Sequence, residues 1–174
     1  LNIQPVNDNP VLSFIENKTF NEDSSILINL SASDLDYNNL TFSADSDSED
    51  IVINLDNNLL TISGSENYFG NGTILISVSD NEGGIDTQSF SVTIDPVNDI
   101  PTVSDLFFDE VEDWVINIYP EGNDVEGTSL EFSYGSPSHG SLSIVDSTLI
   151  YTPNLNFNGE DFFTYRAFDG DDYS

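Results

Sequence analysis

Apolar and polar residues alternate along many short stretches of the chain, the period of strands that bury one face. Three stretches in the first half place their apolar residues on one side: Ile26, Ile28 and Leu30; Ile74, Ile76 and Val78; and Phe90, Val92 and Ile94. Residues 51–55 and 59–63 flank Asp56-Asn57-Asn58, which predicts a hairpin turn. Because no stretch has a helical period, we predict an all-β fold.

Four blocks of sequence occur twice, in the same order and at an offset of 89 to 91 residues. The pairs are Pro5-Val6-Asn7-Asp8-Asn9-Pro10 with Pro96-Val97-Asn98-Asp99-Ile100-Pro101, Glu22-Asp23 with Glu112-Asp113, Asp34-Leu35-Asp36 with Asp124-Val125-Glu126, and Val78-Ser79-Asp80 with Ala167-Phe168-Asp169. A period near 90 fits one immunoglobulin-like sandwich of about 100 residues per copy. We therefore expect two tandem antiparallel β-sandwiches, at residues 1–97 and 98–174.

The second copy is shorter than the first at its C-terminal side. The first copy continues past Asp80 with a further predicted strand at residues 85–95, whereas five residues follow Asp169. We expect the second sandwich to lack its last strand. Because an open sheet edge readily pairs with other strands, we expect truncation, cleavage or pairing with another chain.

Charge narrows the kinds of partner that the protein can have. The chain carries 32 acidic residues against two basic ones, Lys18 and Arg166, for a formal net charge of −30. Nucleic acid is excluded because its phosphates need a basic surface, and anionic membranes are disfavoured for the same reason.

Twelve Phe and seven Tyr argue against a disordered chain. A compact fold with this charge would repel itself, so we expect multivalent cations to neutralise it.

Acidic residues lie at predicted strand ends and recur between the copies. The candidates are Asp34 with Asp36, Asp124 with Glu126, Asp80, Asp169, and the Asp95, Asn98 and Asp99 segment between the copies. Calcium takes six to eight oxygen ligands, mostly carboxylate and carbonyl, held by turns. Asp and Asn also favour turns for purely structural reasons. Recurrence at the same repeat positions favours calcium sites over that alternative.

These residues resemble the calcium-binding framework of cadherin domains, and the copies are similar to the bacterial cadherin-like tandem repeats of large secreted proteins and adhesins. Residues 151–159 are similar to a signature of the bacterial repeats. The resemblance implies junctional calcium ligands at Glu22, Glu66, Asp95, Asn98, Asp99, Asp124, Glu126 and Asp169. It also implies an N-terminal half-site of Asn7, Asp8, Asp34, Asp36 and Asp80.

The chain departs from the cadherin pattern at three positions of the junction. Asp95 is separated from Asn98 by two residues where the family has one, Glu126 replaces an Asp, and Ile100 replaces the Asn of the first linker. These changes bear on the number of ions more than on their presence. At the far end of the second copy, Glu112 has no following linker, so we expect weak or no calcium binding there.

Catalysis is not expected from this composition. The chain has no Cys and one His, His139, in a predicted turn. Neither a thiolate or zinc centre nor a nucleophilic triad can be assembled from these residues in the usual ways. A pair of carboxylates could serve glycoside hydrolysis, but the carboxylates here are spread over strand ends and are better explained as metal ligands.

The expected function is that of a calcium-binding extracellular stalk or adhesion module, secreted or at the cell surface, in which junctional Ca²⁺ stiffens tandem repeats of one long chain. The alternative is a calcium-dependent carbohydrate- or protein-binding module attached to a secreted hydrolase or adhesin. Phe162, Phe168 and Trp114 are the candidate contact residues for a carbohydrate or another cadherin-like domain. No membrane insertion is expected, because no run of 18 apolar residues occurs.

Overall fold

The structure, a computed structural model, describes residues 1–4, 6–36, 39–146 and 148–174. Pro5, which opens the first repeated block, lies outside the described residues. The described residues form sixteen β-strands and no helix, so none of them forms an apolar helix of membrane-spanning length. The predicted all-β fold is confirmed. The chain divides into two compact units, unit 1 at Leu1–Val97 and unit 2 at Asn98–Ser174.

Unit 1 contains nine strands in two main sheets. They are β1 (Val11–Leu12), β2 (Lys18–Asn21), β3 (Ser25–Asn29), β4 (Ala32–Ser33), β5 (Thr41–Ser46), β6 (Ile51–Asp56), β7 (Leu59–Gly64), β8 (Gly70–Ser79) and β9 (Ile85–Asp95). One sheet has the order β2-β9-β8-β5, the other has the order β3-β7-β6, and β1 pairs separately with β4. Every pairing is antiparallel except that of β2 with β9.

The core of unit 1 lies between the two main sheets. Side chains alternate across a strand, so the inner faces of β7, β8 and β9 carry the predicted apolar sets. Their buried members are Leu60, Ile62, Ile74, Ile76, Val78, Phe90, Val92 and Ile94, each at most 3% exposed. The predicted hairpin is also present, with β6 and β7 joined by a turn in which Asn57 has a φ of 55°.

Unit 2 contains seven strands. They are β10 (Thr102–Val103), β11 (Ile116–Ile118), β12 (Gly122–Asn123), β13 (Glu131–Tyr134), β14 (Gly140–Val145), β15 (Thr148–Pro153) and β16 (Tyr165–Phe168). One sheet has the order β11-β15-β14, β13 pairs with β16, and β10 pairs with β12. These pairings repeat β3-β7-β6, β5-β8 and β1-β4 of unit 1, so the two units are copies of one sandwich plan.

The core of unit 2 is smaller than that of unit 1. Its cluster of buried hydrophobic residues among the described positions is Ile118, Leu149 and Tyr151, whereas the unit 1 cluster has thirteen members. Within the described ranges no named strand pairs with β16 on the side away from β13, apart from an isolated bridge between Phe168 and Tyr173. The expectation that the second sandwich lacks its last strand stays a prediction.

Asp161 is a hydrogen-bonding centre of unit 2 that the sequence does not reveal. Its carboxylate accepts bonds from the Tyr151 hydroxyl at 2.8 Å and from the backbone N–H groups of Ser138, His139 and Phe162 at 2.9–3.0 Å. Burial opposes its ionisation, but these four bonds outweigh burial and hold the pKa of Asp161 below its ordinary value. Burial, and then the bond to Asp161, raise the pKa of Tyr151 to about 12.

Truncating a core residue of β8 should destabilise unit 1. Ile74 is fully buried, so Ile74→Ala should lower the free energy of unfolding by about 2–5 kcal/mol, because it leaves a cavity. Leu75, the next residue, is 45% exposed, and Leu75→Ala should cost less than about 1 kcal/mol. Urea denaturation followed by NMR signals of unit 1 compares the two variants, and equal losses would contradict this description of the core.

Removing the charge of Asp161 should destabilise unit 2 in a pH-dependent way. Asp161→Asn should cost about 1–3 kcal/mol at neutral pH, because an amide cannot accept all four bonds. Since the folded pKa is lowered, the loss should be complete above about pH 4 and should shrink as the pH falls through the folded pKa. Thermal melts across this range measure it, with Glu160→Gln as an exposed neighbouring control.

Candidate metal centre

Asp80 is held by a set of N–H donors at the end of β8. The backbone N–H groups of Glu82, Gly83 and Gly84 donate to its Oδ1 at 2.8–3.0 Å, and Asn7 Nδ2 donates to its Oδ2 at 2.7 Å. Asp80 is 2% exposed. The Asn7 bond is the main reason that the pKa of Asp80 is lowered; burial opposes this, and the backbone bonds add to it. The carboxylate is therefore charged at neutral pH.

The other predicted residues of the N-terminal half-site adjoin this carboxylate. Asp8 follows Asn7 directly, and its backbone N–H donates to Asp36 Oδ2 at 2.7 Å. The backbone N–H of Asp36 in turn donates to Asp34 Oδ1 at 2.8 Å. The structure therefore links the five predicted residues of the N-terminal half-site through two consecutive residues of the N-terminal segment. We define them as cluster 1: Asn7, Asp8, Asp34, Asp36 and Asp80.

Unit 2 repeats two of these contacts at the equivalent positions. Asn98 Nδ2 donates to Asp169 Oδ2 at 3.0 Å, as Asn7 does to Asp80. The backbone N–H of Asp99 donates to Glu126 Oε2 at 3.1 Å, as that of Asp8 does to Asp36. We define this set as cluster 2: Asn98, Asp99, Asp124, Glu126 and Asp169. Glu126 therefore takes the place of an Asp without losing the contact to the linker.

Asp169 is charged for the same physical reason as Asp80. The backbone N–H groups of Asp172 and Asp171 each donate to its Oδ1 at 2.7 Å. The Asp172 bond is the largest cause of its lowered pKa; burial opposes it, and the Asp171 and Asn98 bonds add to it. Each unit therefore keeps one buried, ionised Asp at the centre of its cluster.

Several buried carboxylate oxygens lack a hydrogen-bond partner among the described residues. They include Asp124 Oδ2 and Glu126 Oε1 in cluster 2, and Glu22 Oε2 in unit 1. A buried charged oxygen without a partner is costly. A hard cation such as Ca²⁺ takes several oxygen ligands at once. The donor set, entirely oxygen in a chain without Cys, therefore fits calcium.

The remaining predicted ligands of unit 1 differ in burial and in hydrogen bonding. Glu22 is 2% exposed; its backbone N–H donates to the Asp95 carbonyl at 2.9 Å, and its Oε1 accepts from the Val97 N–H at 2.8 Å. Asp95 ends β9 with an exposed side chain. Glu66 is exposed in the turn after β7, and no hydrogen bond in the described structure joins it to Glu22 or Asp95. Glu112, the repeat equivalent of Glu22, is exposed.

Sequence reasoning missed the role of Gly84. A Cβ at Gly84 would overlap the Asp80 carboxylate and lie 3.0 Å from the Asn9 Cα, so the residue must be small for the turn to close around Asp80. The signal in the sequence is the Gly83-Gly84 pair that follows Asp80. Such a pair is common in turns; the structure shows that Gly83 has a φ of 120°, which favours glycine, and that Gly84 has no room for a Cβ.

The aromatic residues singled out for ligand contact differ in exposure. Phe162 is 79% and Trp114 is 65% exposed. Phe168 is half-buried and stacks on Tyr173 with ring centroids 4.5 Å apart. His139 stacks on Phe157 with centroids 4.3 Å apart, beside the Asp161 centre.

Comparison with known proteins gives a family and a fold. The family model described as Bacterial Ig domain matches residues 7–93 and 98–174. Similar solved structures include protocadherin gamma B2 domains 1–5 (19% identity, TM-score 0.58), human protocadherin-24 EC1-2 (14%, 0.52) and mouse cadherin-23 EC22-24 (19%, 0.52). The matches cover 97% of this chain for protocadherin gamma B2 and 93% for each of the other two. This chain spans 38% of the length of protocadherin gamma B2, 87% of that of protocadherin-24 and 59% of that of cadherin-23. No curated protein matches. At these identities the likeness shows a tandem sandwich fold alone.

Adding a methyl group at Gly84 should disrupt cluster 1. Gly84→Ala should lower the free energy of unfolding of unit 1 by about 1–3 kcal/mol, because the Asp80 carboxylate or the Asn9 backbone must move. Glu82→Ala is the control, since Glu82 is exposed and contacts Asp80 through its backbone N–H. The control should change stability by less than about 0.5 kcal/mol. Equal effects in chemical denaturation would show that the turn tolerates the added atom.

Proposed function

Since the chain belongs to the bacterial Ig domain family, we propose that it is a calcium-binding structural module of a secreted or cell-surface protein and that it has no catalytic role. The observation that supports this proposal is the repetition of one hydrogen-bonded acidic cluster in two units. In both, an Asn side chain and consecutive backbone N–H groups hold a buried Asp in its charged form. A turn that only needed an Asp would not require four further oxygen-bearing side chains around it.

Clusters 1 and 2 are the proposed calcium ligands of their units. When bound, the ion would neutralise the carboxylates and supply a partner for buried oxygens such as Asp124 Oδ2 and Glu126 Oε1. Glu22, Glu66 and Asp95 stay predicted ligands from the cadherin resemblance. The alternative, a calcium-dependent carbohydrate- or protein-binding module, stays a prediction that depends on the exposed Phe162 and Trp114.

In each cluster the charge and the orientation of the buried Asp are set before a cation binds. The pKa values of Asp80 and Asp169 are lowered, so no proton has to leave these carboxylates on binding at neutral pH. The N–H donors also fix the orientation of both carboxylates. The unsatisfied charge of the remaining acids opposes folding until a cation is present, because few basic side chains are available to balance it.

In this proposal calcium acts on the connection between repeats. Asn98 and Asp99 belong both to cluster 2 and to the segment that follows β9, so an ion bound there restrains that segment. Extracellular calcium modules bind with dissociation constants of about 10⁻⁴ to 10⁻³ M. The stiffness of a tandem array would then depend on calcium in the surrounding medium.

Calorimetric titration with CaCl₂ tests the proposal. The full chain should bind saturably with a dissociation constant of about 10⁻⁴ to 10⁻³ M. Asp99→Ala should weaken binding at cluster 2 by about tenfold or more, because it removes one carboxylate ligand of the set. The control is Glu49→Ala, which removes an equal charge from an exposed position outside both clusters.

Two results would contradict calcium binding at these clusters. One is the absence of saturable binding by the unaltered chain. The other is an equal loss of affinity in Asp99→Ala and Glu49→Ala, which would mean that calcium is attracted to the acidic surface as a whole. Loss in Asp99→Ala alone supports the assignment.

A further inference from the structure

Strand β14 lies at a free edge of its sheet. The sheet of unit 2 has the order β11-β15-β14, and the equivalent sheet of unit 1 has the order β3-β7-β6. Within the described part of the chain, no strand pairs with β14 on the side away from β15. Because β6 is a free edge in the same way, this edge belongs to the fold plan that both units share. It lies in a different sheet from β16.

The sequence of β14 lacks the features that usually protect a free edge. Natural edge strands carry charged residues or Pro, or are very short. Residues 140–145 form a strand of six residues with no charged residue and no Pro, in a chain where 32 of 174 residues are acidic. The backbone groups along this edge are therefore open to another strand.

Apolar side chains are exposed on both faces of β14. Ile144 shares its face with Leu142, which packs against the core cluster of unit 2, yet Ile144 is 62% exposed. Its equivalent in the hairpin of unit 1, Leu55, is half-buried against the core. Val145, on the other face, is 52% exposed. Uncovered apolar surface thus lies directly beside unpaired backbone.

The residues of β14 match a second copy of the same strand. In an antiparallel pair, residues directly opposite each other point to the same face of the sheet. When Ser143 lies opposite Ser143 of the second copy, Leu142 lies opposite Ile144, and Ser141 lies opposite Val145. This register forms two apolar pairs on the inner face, because each copy contributes one Leu142 and one Ile144.

Charge separates β14 from its equivalent strand in unit 1. Pairing of β6 with itself in the same register would place Asp56 diagonal to Asp50 of the second copy, where like charges repel. The residues at these two positions of unit 2 are Val145 and His139. Strand β14 can therefore meet a second copy without this repulsion, and β6 cannot.

We propose that β14 is a self-association edge, through which two copies of the chain pair in antiparallel orientation with Ser143 on the two-fold axis. The contact is isologous, since the same surface serves both copies. It joins two three-stranded sheets into one of six strands and covers Ile144. The net charge of −30 on each copy opposes association, so the dimer is favoured at high ionic strength. This edge is separate from clusters 1 and 2 and does not depend on calcium binding.

Cysteine crosslinking tests the register, because the chain has no Cys. Ser143→Cys should form an intermolecular disulfide on mild oxidation in 1 M NaCl, where charges are screened beyond about 3 Å. Opposite Cα atoms lie about 4.5–5.5 Å apart, within the range of about 4.4–6.8 Å that a disulfide spans. Ser141→Cys is the matched control on the same exposed face. Its two copies would lie four residues apart along the strands, about 13 Å, and should not crosslink. Non-reducing gel electrophoresis measures both.

A second pair of variants measures association without a crosslink. Ile144→Lys places at the edge a residue that natural edge strands use for protection, and should weaken dimerisation about tenfold or more. Leu75→Lys, at a 45% exposed position of β8, is the control with the same change of charge. Both changes reduce the net negative charge, so charge alone would strengthen association. Sedimentation equilibrium in 1 M NaCl measures dimerisation, and circular dichroism checks that both variants stay folded.

The outcomes either support the proposal or overturn it. Crosslinking of Ser143→Cys but not of Ser141→Cys, with a loss of dimer in Ile144→Lys alone, supports it. A chain that stays monomeric in 1 M NaCl overturns it. Equal crosslinking of the two Cys variants would mean random collision and also overturns it. A dimer that Ile144→Lys leaves unchanged, or that Leu75→Lys weakens equally, would place the contact on another surface and refute it.

Discussion

The buried carboxylates of Asp80 and Asp169 are balanced by hydrogen-bond donors in place of cationic side chains. Thirty-two acidic residues share the sequence with Lys18 and Arg166. Among the described residues the salt bridge is that of Lys18 with the exposed Glu16, while Arg166 donates to Ser133 and lies over the Tyr173 ring. Backbone N–H groups and Asn amides therefore hold the buried Asp80 and Asp169, and this constraint determines where the chain turns at the ends of β8 and β16.

The same constraint separates structural carboxylates from candidate ligands. Asp161 accepts four hydrogen bonds and closes a loop of unit 2, so its oxygens are satisfied by the protein. Asp124 and Glu126 each keep a buried oxygen that no described donor satisfies. Asp80, like Asp161, accepts four hydrogen bonds, so the need for a cation comes from carboxylates of the second kind. This difference in hydrogen bonding, more than the acidity of the chain, supports metal binding at cluster 2.

The sequence predicted those features that depend on local pattern. The faces of β8 and β9 and the β6–β7 hairpin follow from period-2 alternation and a short Asn-rich turn, and the structure confirms them. The grouping of the cluster residues was implied by the resemblance to cadherin domains, and the structure joins Asn7 to Asp80 and Asn98 to Asp169. Their metal-binding role stays a prediction.

Features that depend on contacts between distant loops were not predictable in this way. Asp161 meets His139 from 22 residues away, and nothing in the spacing of the two residues indicates it. The role of Gly84 depends on where Asn9 and Asp80 converge. Phe168 was a candidate contact residue, and the structure shows it half-buried with Tyr173 stacked on it. Each of these contacts depends on where distant parts of the chain meet in the folded protein, which local sequence propensity does not indicate.

Calcium bound at the repeated clusters is proposed to stiffen the connection between repeats. Small-angle X-ray scattering of the full chain, recorded with saturating Ca²⁺ and again after chelation, measures this effect. Chelation should broaden the distribution of interatomic distances, because clustered carboxylates then repel and the segment at residues 95–99 becomes a hinge. Superimposable scattering curves from a chain shown to have bound and then released calcium would refute the proposal.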